Sequence, residues 1–360
     1  MINKNFWETK RVLITGHTGF KGSWLWLWLS EMGSTLCGYS LDIQENSLFK
    51  NISANKNNKN LSHYGDIDNE KYLRRVILDF NPDIIFHLAA QPLVIDSYKL
   101  PIYTWQTNVI GTLKLLESTK SLKNKCSIVV ITTDKVYKNK EWEFGYRESD
   151  RLGGHDPYSA SKAATELAVE SWRNSFIDSK SNQIESISLC TARSGNVIGG
   201  GDWSENRIIP DAIKAISTQK EIVLRNPKST RPWQHVLDPI NGYISLAEKL
   251  YSKPKDFSSS FNFGPTIDSN KTVEELIIEA SKYWECKYKF AKTKNVFHEA
   301  SMLHLQIDKA VKSLGWRPVW NFQKSVERTI LWYKSVYEGE NPLDLCKKDI
   351  EIYSQELNIK

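Results

Sequence analysis

Residues 12–22 read Val12-Leu13-Ile14-Thr15-Gly16-His17-Thr18-Gly19-Phe20-Lys21-Gly22. The first three are apolar, which is typical of a short buried strand, and the residues after Gly22 predict a helix from Ser23 to about Met32. A glycine-rich turn between a strand and a helix lets the backbone approach a pyrophosphate, and the helix N-terminus adds unpaired N–H groups. The stretch predicts a dinucleotide site, although G-x-x-G-x-x-G is one residue looser than the usual spacing. We expect its contacts to come from Gly16, Thr18, Gly19, Phe20, Lys21 and Gly22.

Alternating strands and helices continue along the chain. At least five strand–crossover units precede residue 195, ending in strands predicted at 128–131 and 186–190. This alternation predicts an α/β fold with a doubly wound parallel (Rossmann) sheet. The pattern changes at the Gly199-Gly200-Gly201 loop. We therefore predict a dinucleotide-binding domain at residues 1–195, completed by about 235–264, and a smaller C-terminal α/β substrate-binding domain at 196–234 and 265–360.

The composition is that of a globular protein. The chain has 360 residues, of which 40% are hydrophobic and 25% charged, and its net charge is +6. The positive charge is spread along the chain, so it suits phosphate-bearing small molecules and does not indicate a nucleic-acid partner. The five scattered cysteines form no C-x-x-C pair, which favours a reducing compartment, the cytoplasm, and argues against a zinc site or a disulfide framework. Because no apolar run is long enough to span a bilayer, we expect no membrane association.

A second stretch carries the candidate chemistry. The apolar strand 128–131 runs into Thr132, Thr133, Asp134 and Lys135. Ligands bind at the carboxyl ends of strands in open α/β sheets, so these side chains are expected in the site.

A Tyr and a Lys follow within the same stretch. Tyr158 and Lys162 lie four apart at the start of a helix predicted to reach Trp172, so both point from one face. The ammonium is expected to lower the pKa of the phenol and make it a general base. By itself Y-x-x-x-K is a weak signal, and the pair could simply be packed on a helix.

Other residues are candidates for the cofactor. No Arg follows the second predicted strand, 35–39, to receive a ribose 2′-phosphate, so NAD is favoured over NADP. The acidic residue expected there is absent or late, since Ser40 precedes Asp42. Asp66 is placed to bind the adenine amine, or else it caps the helix predicted at 69–79. The remaining predicted cofactor contacts are Ile67, Leu88, Ala89, Ala90, Gln91 and Asn108.

These motifs together resemble the extended short-chain dehydrogenase/reductases. Within that family the chain is similar to the nucleotide-sugar 4,6-dehydratases, most of all the branch that acts on CDP-glucose. The resemblance rests on His17 and Lys21 in the glycine loop, on the stretches 91–94 and 132–137, and on 193–203 and 231–236. It implies NAD as the cofactor and CDP-glucose as the substrate. It also implies supply of a deoxysugar for a surface polysaccharide such as lipopolysaccharide.

The resemblance further implies a residue-by-residue mechanism. Tyr158 would take the proton of the sugar 4-hydroxyl, Thr133 would hydrogen-bond that oxygen, and Asp134 would protonate the departing 6-hydroxyl. Lys162 would hold the nicotinamide ribose. Relatives acting on dTDP-glucose have Glu where this chain has Lys135. An ammonium cannot accept a proton, so Lys135 either loses its charge and acts as the base at carbon 5, or stabilises the enolate while another group takes the proton.

The substrate contacts are predicted from the second half of the chain. Arg207 and Arg231 would neutralise the diphosphate, and Asn196 would bind one of its oxygens. A surface salt bridge is the structural alternative for each Arg. The full predicted set is His17, Lys21, Gln91, Asn196, Asp202, Trp203, Arg207, Arg231 and His235.

Four alternative functions and one expectation about assembly remain open. The chain could be a 4,6-dehydratase of another nucleotide sugar, an epimerase or a reductase, although neither of the last two needs the acid Asp134 after Thr133. A non-enzymatic NAD-binding regulator would not need Tyr158 and Lys162 intact. By analogy with the family we expect a homodimer or homotetramer, with dimerisation through helices at 104–120 and 160–172.

Overall fold

A seven-stranded parallel sheet forms the centre of the computed structural model, which describes residues 2–53, 60–178, 184–291 and 302–359. Its strand order is β11-β6-β5-β4-β1-β2-β3, and every pairing within it is parallel. The predicted doubly wound sheet is confirmed. The seven strands are β1 (Arg11–Thr15), β2 (Thr35–Ser40), β3 (Leu61–Tyr64), β4 (Ile84–His87), β5 (Cys126–Ile131), β6 (Ile187–Arg193) and β11 (Ser260–Asn262).

The strand order reverses between β1 and β4. From β1 the chain adds β2 and β3 on one side of β1, and it then crosses back to add β4, β5 and β6 on the opposite side. Thr15 at the end of β1 pairs with His87 at the end of β4, so both strands stop at one level. β5 and β6 are buried along their whole length, as strands covered by helices on both faces must be. A crevice at such a reversal is where ligands bind in this architecture.

Helices cover both faces of the sheet, and one hydrophobic core lies beneath each layer. Val12 and Ile14 of β1 point into one core and Leu13 into the other, as the two-residue period of a strand requires. The helices up to β6 are α1 (Lys4–Trp7), α2 (Phe20–Glu31), α3 (Leu48–Ser53), α4 (Glu70–Phe80), α5 (Val94–Lys99), α6 (Pro101–Trp105), α7 (Gly111–Thr119) and α8 (Pro157–Trp172).

Several helix boundaries differ from prediction. α2 begins at Phe20 rather than Ser23, since Gly19 already serves as its N-cap. α8 begins at Pro157, capped by a reciprocal pair of hydrogen bonds between Asp156 and Ser159. The helix predicted at 104–120 consists of α6, a π-helical turn at Gln106–Ile110 and α7.

The rest of the chain forms three small ladders beside the cleft. β7 (Val197–Ile198) pairs with β10 (Gln234–His235), β8 (Ile222–Leu224) with β13 (Tyr288–Phe290), and β9 (Thr230–Pro232) with β12 (Asn270–Thr272). The helices here are α9 (Ile208–Ser217), α10 (Leu237–Ser252), α11 (Pro254–Phe257), α12 (Val273–Ser281), α13 (Asp308–Leu314), α14 (Phe322–Tyr337) and α15 (Pro342–Ile359). Among the described residues, no helix is long and apolar enough to cross a membrane.

The C-terminal helix α15 was not expected from the sequence, and it packs on the helix layer of the central sheet. The Trp28 ring on α2 lies 5.5 Å from that of Tyr353, in an edge-to-face arrangement. Both rings belong to the core that also holds β1. β11, from residue 260, completes the sheet at its edge. The domain boundaries at 195, 234 and 264 stay a prediction.

Candidate active site

One cleft opens at the carboxyl ends of the central strands. Its volume is about 1330 Å³, above the roughly 300–1,000 Å³ of a pocket for one small ligand, so it has room for two. The glycine loop lies on one side of it and the short ladders on the other. The five predicted catalytic residues, Thr133, Asp134, Lys135, Tyr158 and Lys162, all line it.

The glycine loop is shaped for close approach of a ligand. Gly16 has φ of 74°, which disfavours any residue with a side chain, and a Cβ there would lie 2.7 Å from the backbone nitrogen of Ala89. Gly19 caps α2 without a side-chain hydrogen bond, so the first N–H groups of that helix face the cleft without a capping side chain. These features fit a pyrophosphate at this point.

The far end of the cleft is built by the ends of β2 and β3. Ser40 exchanges a hydrogen bond of 2.8 Å with Thr18, and it lies 3.1 Å from Nδ1 of His17. Asp66 lines the cleft beside Ile67. It does not cap α4, since the side chain of Asn69 accepts the capping bond from Tyr72 N. Oδ1 of Asp66 accepts from Asp68 N at 2.9 Å in the turn before α4, and the capping role belongs to Asn69.

Thr133, Asp134 and Asn196 form a hydrogen-bonded cluster at the base of the cleft. Thr133 Oγ1 donates to Asp134 Oδ1 at 3.0 Å, and Asn196 Nδ2 donates to Oδ2 at 2.9 Å. Asp134 is 1% exposed. Thr133 also hydrogen-bonds the phenol of Tyr158. A hydroxyl, a carboxyl and a phenol therefore converge on one spot, as a reaction with two proton transfers needs.

The acid–base properties of Tyr158 differ from expectation. Burial raises the pKa of Tyr158 to about 12, and the hydrogen bond with Thr133 only partly opposes this. The net shift is thus upward, opposite to the lowering expected from the neighbouring ammonium. Burial lowers the pKa of Lys162 itself to about 8, and the nearby carboxylate of Glu166 limits the fall. Lys162 Nζ donates to the carbonyl of Ile131 at 3.3 Å, at the very end of β5.

Lys21 is a second buried cation in the cleft. Its Nζ donates to Ser194 Oγ at 3.1 Å, and Ser194 in turn hydrogen-bonds the phenol of Tyr243. Burial lowers the pKa of Lys21 to about 7, and Arg207 adds to the effect. Lys21 is thus placed between the glycine loop and the catalytic cluster.

The substrate half of the cleft carries the predicted arginines. Arg207 Nη1 donates to Asp202 Oδ2 at 2.8 Å, a partly buried ion pair at the mouth of the cleft. Arg231, on β9, also lines the cleft although it is only 6% exposed. Trp203 is 42% exposed and stacks edge-to-face on Tyr333. Two guanidinium groups facing one cleft suit a diphosphate.

Three predicted contacts do not line the cleft. The ring of His17 is fully buried among Trp26, Phe49 and Tyr64, because Gly38 leaves room for it beneath β2. His235 is fully buried, and its ring packs against two Trp side chains, Trp24 and Trp320. Asn108 lies behind the cleft, where it bonds the backbone of Gln91 and the hydroxyl of Ser161. The other predicted cofactor and substrate residues all line the cleft.

Three contacts of the site were not predicted from the sequence. Asn196 reaches Asp134, Ser194 accepts from Lys21, and Glu166 lies behind Thr132. The position of Glu166, one helical turn after Lys162, is the one signal that could have pointed to such a contact.

Comparisons with known proteins agree with this geometry. The family model described as GDP-mannose 4,6 dehydratase matches residues 13–329, and the chain belongs to this family. The CDP-glucose 4,6-dehydratase of Salmonella typhimurium is 45% identical over 98% of this chain and 98% of its own. The predicted membership among nucleotide-sugar dehydratases of the short-chain dehydrogenase/reductase class is confirmed.

Solved structures share the fold at lower identity. UDP-glucuronic acid 4-epimerase from Bacillus cereus, in complex with UDP-glucuronic acid and NAD, has a TM-score of 0.77 and 22% identity, covering 91% of this chain and 100% of its own. dTDP-glucose 4,6-dehydratase from Bacillus anthracis, in complex with NAD, has a TM-score of 0.74 and 20% identity, covering 93% of this chain and 100% of its own.

Proposed function

We propose that this enzyme converts CDP-glucose to CDP-4-keto-6-deoxyglucose and water with NAD as its resident cofactor. The observation that carries the proposal is the convergence of Thr133, Asp134 and Tyr158 beside the glycine loop. The 45% identity to a CDP-glucose 4,6-dehydratase supports the choice of nucleotide.

The cofactor fits the groove between the glycine loop and the ends of β2 and β4. The space that a Cβ on Gly16 would fill, and the uncapped start of α2, suit the pyrophosphate. Ser40 and Asp66 would bind the adenosine part, and Lys162 the nicotinamide ribose. NAD, when bound, supplies the site that accepts a hydride from carbon 4 of the sugar and returns one to carbon 6.

The protein residues handle the protons. Tyr158 takes the proton of the 4-hydroxyl, and Thr133 hydrogen-bonds the same oxygen as it becomes a carbonyl. The 4-keto group acidifies the C–H bond at carbon 5, so water can leave across the 5,6 bond once Asp134 protonates the 6-hydroxyl. With the pKa of Tyr158 at about 12, its ionisation depends on positive charge from Lys162 and the bound nicotinamide.

Lys135 has two candidate roles after the oxidation. It either takes the proton from carbon 5 and gives it back there when hydride reaches carbon 6, or it stabilises the enolate with its charge while another group carries that proton. The roles differ in pH response, since a base must be neutral and a stabiliser must be charged. Elimination would rise with pH for a base and fall with pH for a stabiliser.

The substrate diphosphate is assigned to Arg207 and Arg231. The contact of Asn196 with a diphosphate oxygen stays a prediction, and its amide donates to Asp134 at the base of the cleft. Asp202, which pairs with Arg207, would orient the guanidinium towards the ligand. Incubating the protein and NAD separately with CDP-, dTDP-, GDP- and UDP-glucose tests the assignment, with alkali-dependent absorbance of the 4-keto sugar as the readout. We expect the highest kcat/KM with CDP-glucose, and a preference for dTDP-glucose would overturn the proposal.

The assembly is proposed to be a homodimer or homotetramer, built on the surface of the helices at 104–120 and 160–172. Apolar side chains are exposed here, with Leu167 56% and Trp105 42% accessible, and Ile102, which precedes Trp105 on α6, is 81% accessible. Such side chains on neighbouring helices favour a contact between copies of the chain. Analytical ultracentrifugation of Ile102→Asp should show a shift towards monomer, while Ile267→Asp, at another exposed apolar site, should leave the assembly intact. The cytoplasm remains the predicted location, since the cysteines are free.

A further inference from the structure

The carboxylate of Glu166 lies directly behind the catalytic cluster and is almost completely buried. It belongs to α8, one turn after Lys162, and its side chain reaches the ends of β5 and β6. It accepts hydrogen bonds from Thr132 Oγ1 and, at 2.7 Å, from Thr191 Oγ1. A single side chain thus ties the helix that carries Tyr158 to both central strands.

An ion pair holds this carboxylate in its charged form. Arg193 Nη2 donates to Glu166 Oε2 at 2.8 Å, and Arg193 Nη1 donates to Tyr137 Oη at the same distance. Burial alone would raise the pKa of Glu166. Arg193 and the hydrogen bonds from Thr132 and Thr191 outweigh burial, so the pKa is lowered. Glu166 therefore remains an anion at neutral pH.

Two catalytic elements depend on this anion. Thr132 immediately precedes Thr133 and Asp134, and its backbone N–H bonds the carbonyl of Ala192 on β6, so its two bonds fix the turn after β5. Lys162 is the other element, since the Glu166 charge opposes the loss of its proton on burial.

The remaining titratable groups that face Lys162 do not replace this negative charge. Lys21 comes from α2 and is a cation or neutral, and His87, at the end of β4, is held neutral because burial lowers its pKa to about 3. Tyr158, on the same helix, carries a phenol whose pKa is raised to about 12. Asp134, on the turn after β5, is the other buried carboxyl of the cluster, and its oxygens accept from Thr133 and Asn196. The charge that opposes proton loss by Lys162 is that of Glu166.

We infer that Glu166 is a positioning residue for the proposed dehydratase reaction: it orients the Thr132–Asp134 turn and keeps Lys162 protonated. The inference rests on the proposed function. The two roles separate experimentally, because the first needs the reach of the side chain and the second needs its charge.

The role of Glu166 in orienting the Thr132–Asp134 turn is tested by a matched pair of isosteric substitutions. Thr132→Val and Thr191→Val each remove one hydroxyl that donates to Glu166, but only Thr132 adjoins the catalytic residues. We expect kcat to fall about tenfold in Thr132→Val, with KM within a factor of two, and to stay within a factor of two of wild type in Thr191→Val. Equal kcat values in the two variants would overturn the positioning role.

The role of the Glu166 charge in keeping Lys162 protonated is tested by the pH profile of kcat/KM. In Glu166→Gln the alkaline limb, where Lys162 loses its proton, should move to lower pH by about one unit. Glu166→Asp should keep the wild-type limb while kcat falls, because the charge stays and the reach shortens. An alkaline limb at the same pH in Glu166→Gln and Glu166→Asp would overturn the electrostatic role.

Misfolding of Glu166→Gln and failure of the proposed reaction each have a distinct consequence for the inference. Removing one partner of a buried ion pair is strongly destabilising, so Glu166→Gln can fail to fold. In that case Glu166→Asp is the variant to measure. Because this substitution keeps the negative charge, a shift in the alkaline limb of its kcat/KM profile would count against the inference. If wild-type protein makes no 4-keto sugar from any nucleotide sugar, the proposed function fails. If the wild type is active but the variants do not behave as described, only the role of Glu166 fails.

Discussion

Asn196 donates a hydrogen bond of 2.9 Å to Oδ2 of Asp134, across the base of the cleft. The two residues lie 62 positions apart in the chain. Asn196 has φ of 51°, in the left-handed region that asparagine tolerates better than most residues. With Thr133 bound to Oδ1, both oxygens of Asp134 are held from two different loops. The orientation of the proposed acid therefore depends on a distant loop as well as on its own turn.

Gly195→Ala should damage this arrangement. A Cβ on Gly195 would lie 2.0 Å from Asp134 Cγ, far inside the van der Waals distance, so the carboxyl group must move. We expect kcat to fall at least tenfold while NAD binding, followed by fluorescence quenching, stays within a factor of three. Gly264→Ala is the matched control, since a Cβ there makes only an ordinary contact of 3.4 Å. Wild-type kcat in Gly195→Ala would contradict the geometry.

Asp134→Asn separates oxidation from elimination. The amide keeps the shape of the side chain and can still bond Asn196 and Thr133, but it cannot deliver a proton to the 6-hydroxyl. Enzyme-bound NADH should accumulate with CDP-glucose, and its absorbance and fluorescence can be followed by stopped flow. Asp150→Asn, outside the cleft, should behave as wild type. If hydride transfer itself is lost in Asp134→Asn, the residue serves binding or oxidation instead.

Lys135→Met should also stall the reaction after the first hydride transfer. Both candidate roles of Lys135 begin only when the 4-keto sugar exists, so NADH should again build up. The pH dependence of the elimination phase in wild-type protein then distinguishes the base from the enolate stabiliser. Lys138→Met removes an exposed lysine of the same segment and serves as the control. Loss of the first hydride transfer in Lys135→Met would exclude both roles.

Tyr158→Phe should lower kcat by roughly two to four orders of magnitude, the usual contribution of a positioned acid–base group. The phenyl ring fills the same buried volume, so the free energy of unfolding should change little, and NAD should still bind. Steady-state kinetics and isothermal titration calorimetry check these expectations. Tyr337→Phe, at a 64% exposed position, is the control. Near-wild-type turnover in Tyr158→Phe would refute its role as the base.

Acid should destabilise the fold through its buried histidines. Burial lowers the pKa of His17, His87 and His235 to about 3, below the ordinary value of 6.5. The unfolded chain then binds more protons than the folded one between pH 6.5 and 3, so stability is full above pH 6.5 and is lost as pH falls through this window. At pH 5 the neutral burial of each histidine lowers the free energy of unfolding by about 2 kcal/mol relative to its value above pH 6.5.

Urea unfolding at pH 7 and pH 5 measures this loss. His235→Gln should lose about 2 kcal/mol less than wild type between the two pH values, because one protonating site is gone. The exposed His155, replaced by Gln, should leave the loss unchanged. An identical loss in wild type and His235→Gln would contradict neutral burial of His235.

The sequence by itself determined the parallel sheet, and it predicted the cofactor end of the cleft and the candidate catalytic residues. Strand, glycine turn and helix are neighbours in the chain, so local patterns of polarity and glycine predict them. Tyr158 and Lys162 are also local, since a single helical turn sets their relation. Family resemblance added the chemistry of Thr133 and Asp134.

Only the tertiary structure decided which side chains are buried, how their pKa values shift and which distant residues meet. These properties depend on packing between segments that are far apart in the chain. The burial of His17 follows from the space beneath Gly38, and the raised pKa of Tyr158 from the closure of the site around it. The contact of Asn196 with Asp134 joins segments that no local pattern connects. Burial and long-range hydrogen bonds arise only when the chain has folded, which is why a sequence names the reacting groups more readily than it shows what holds them in place.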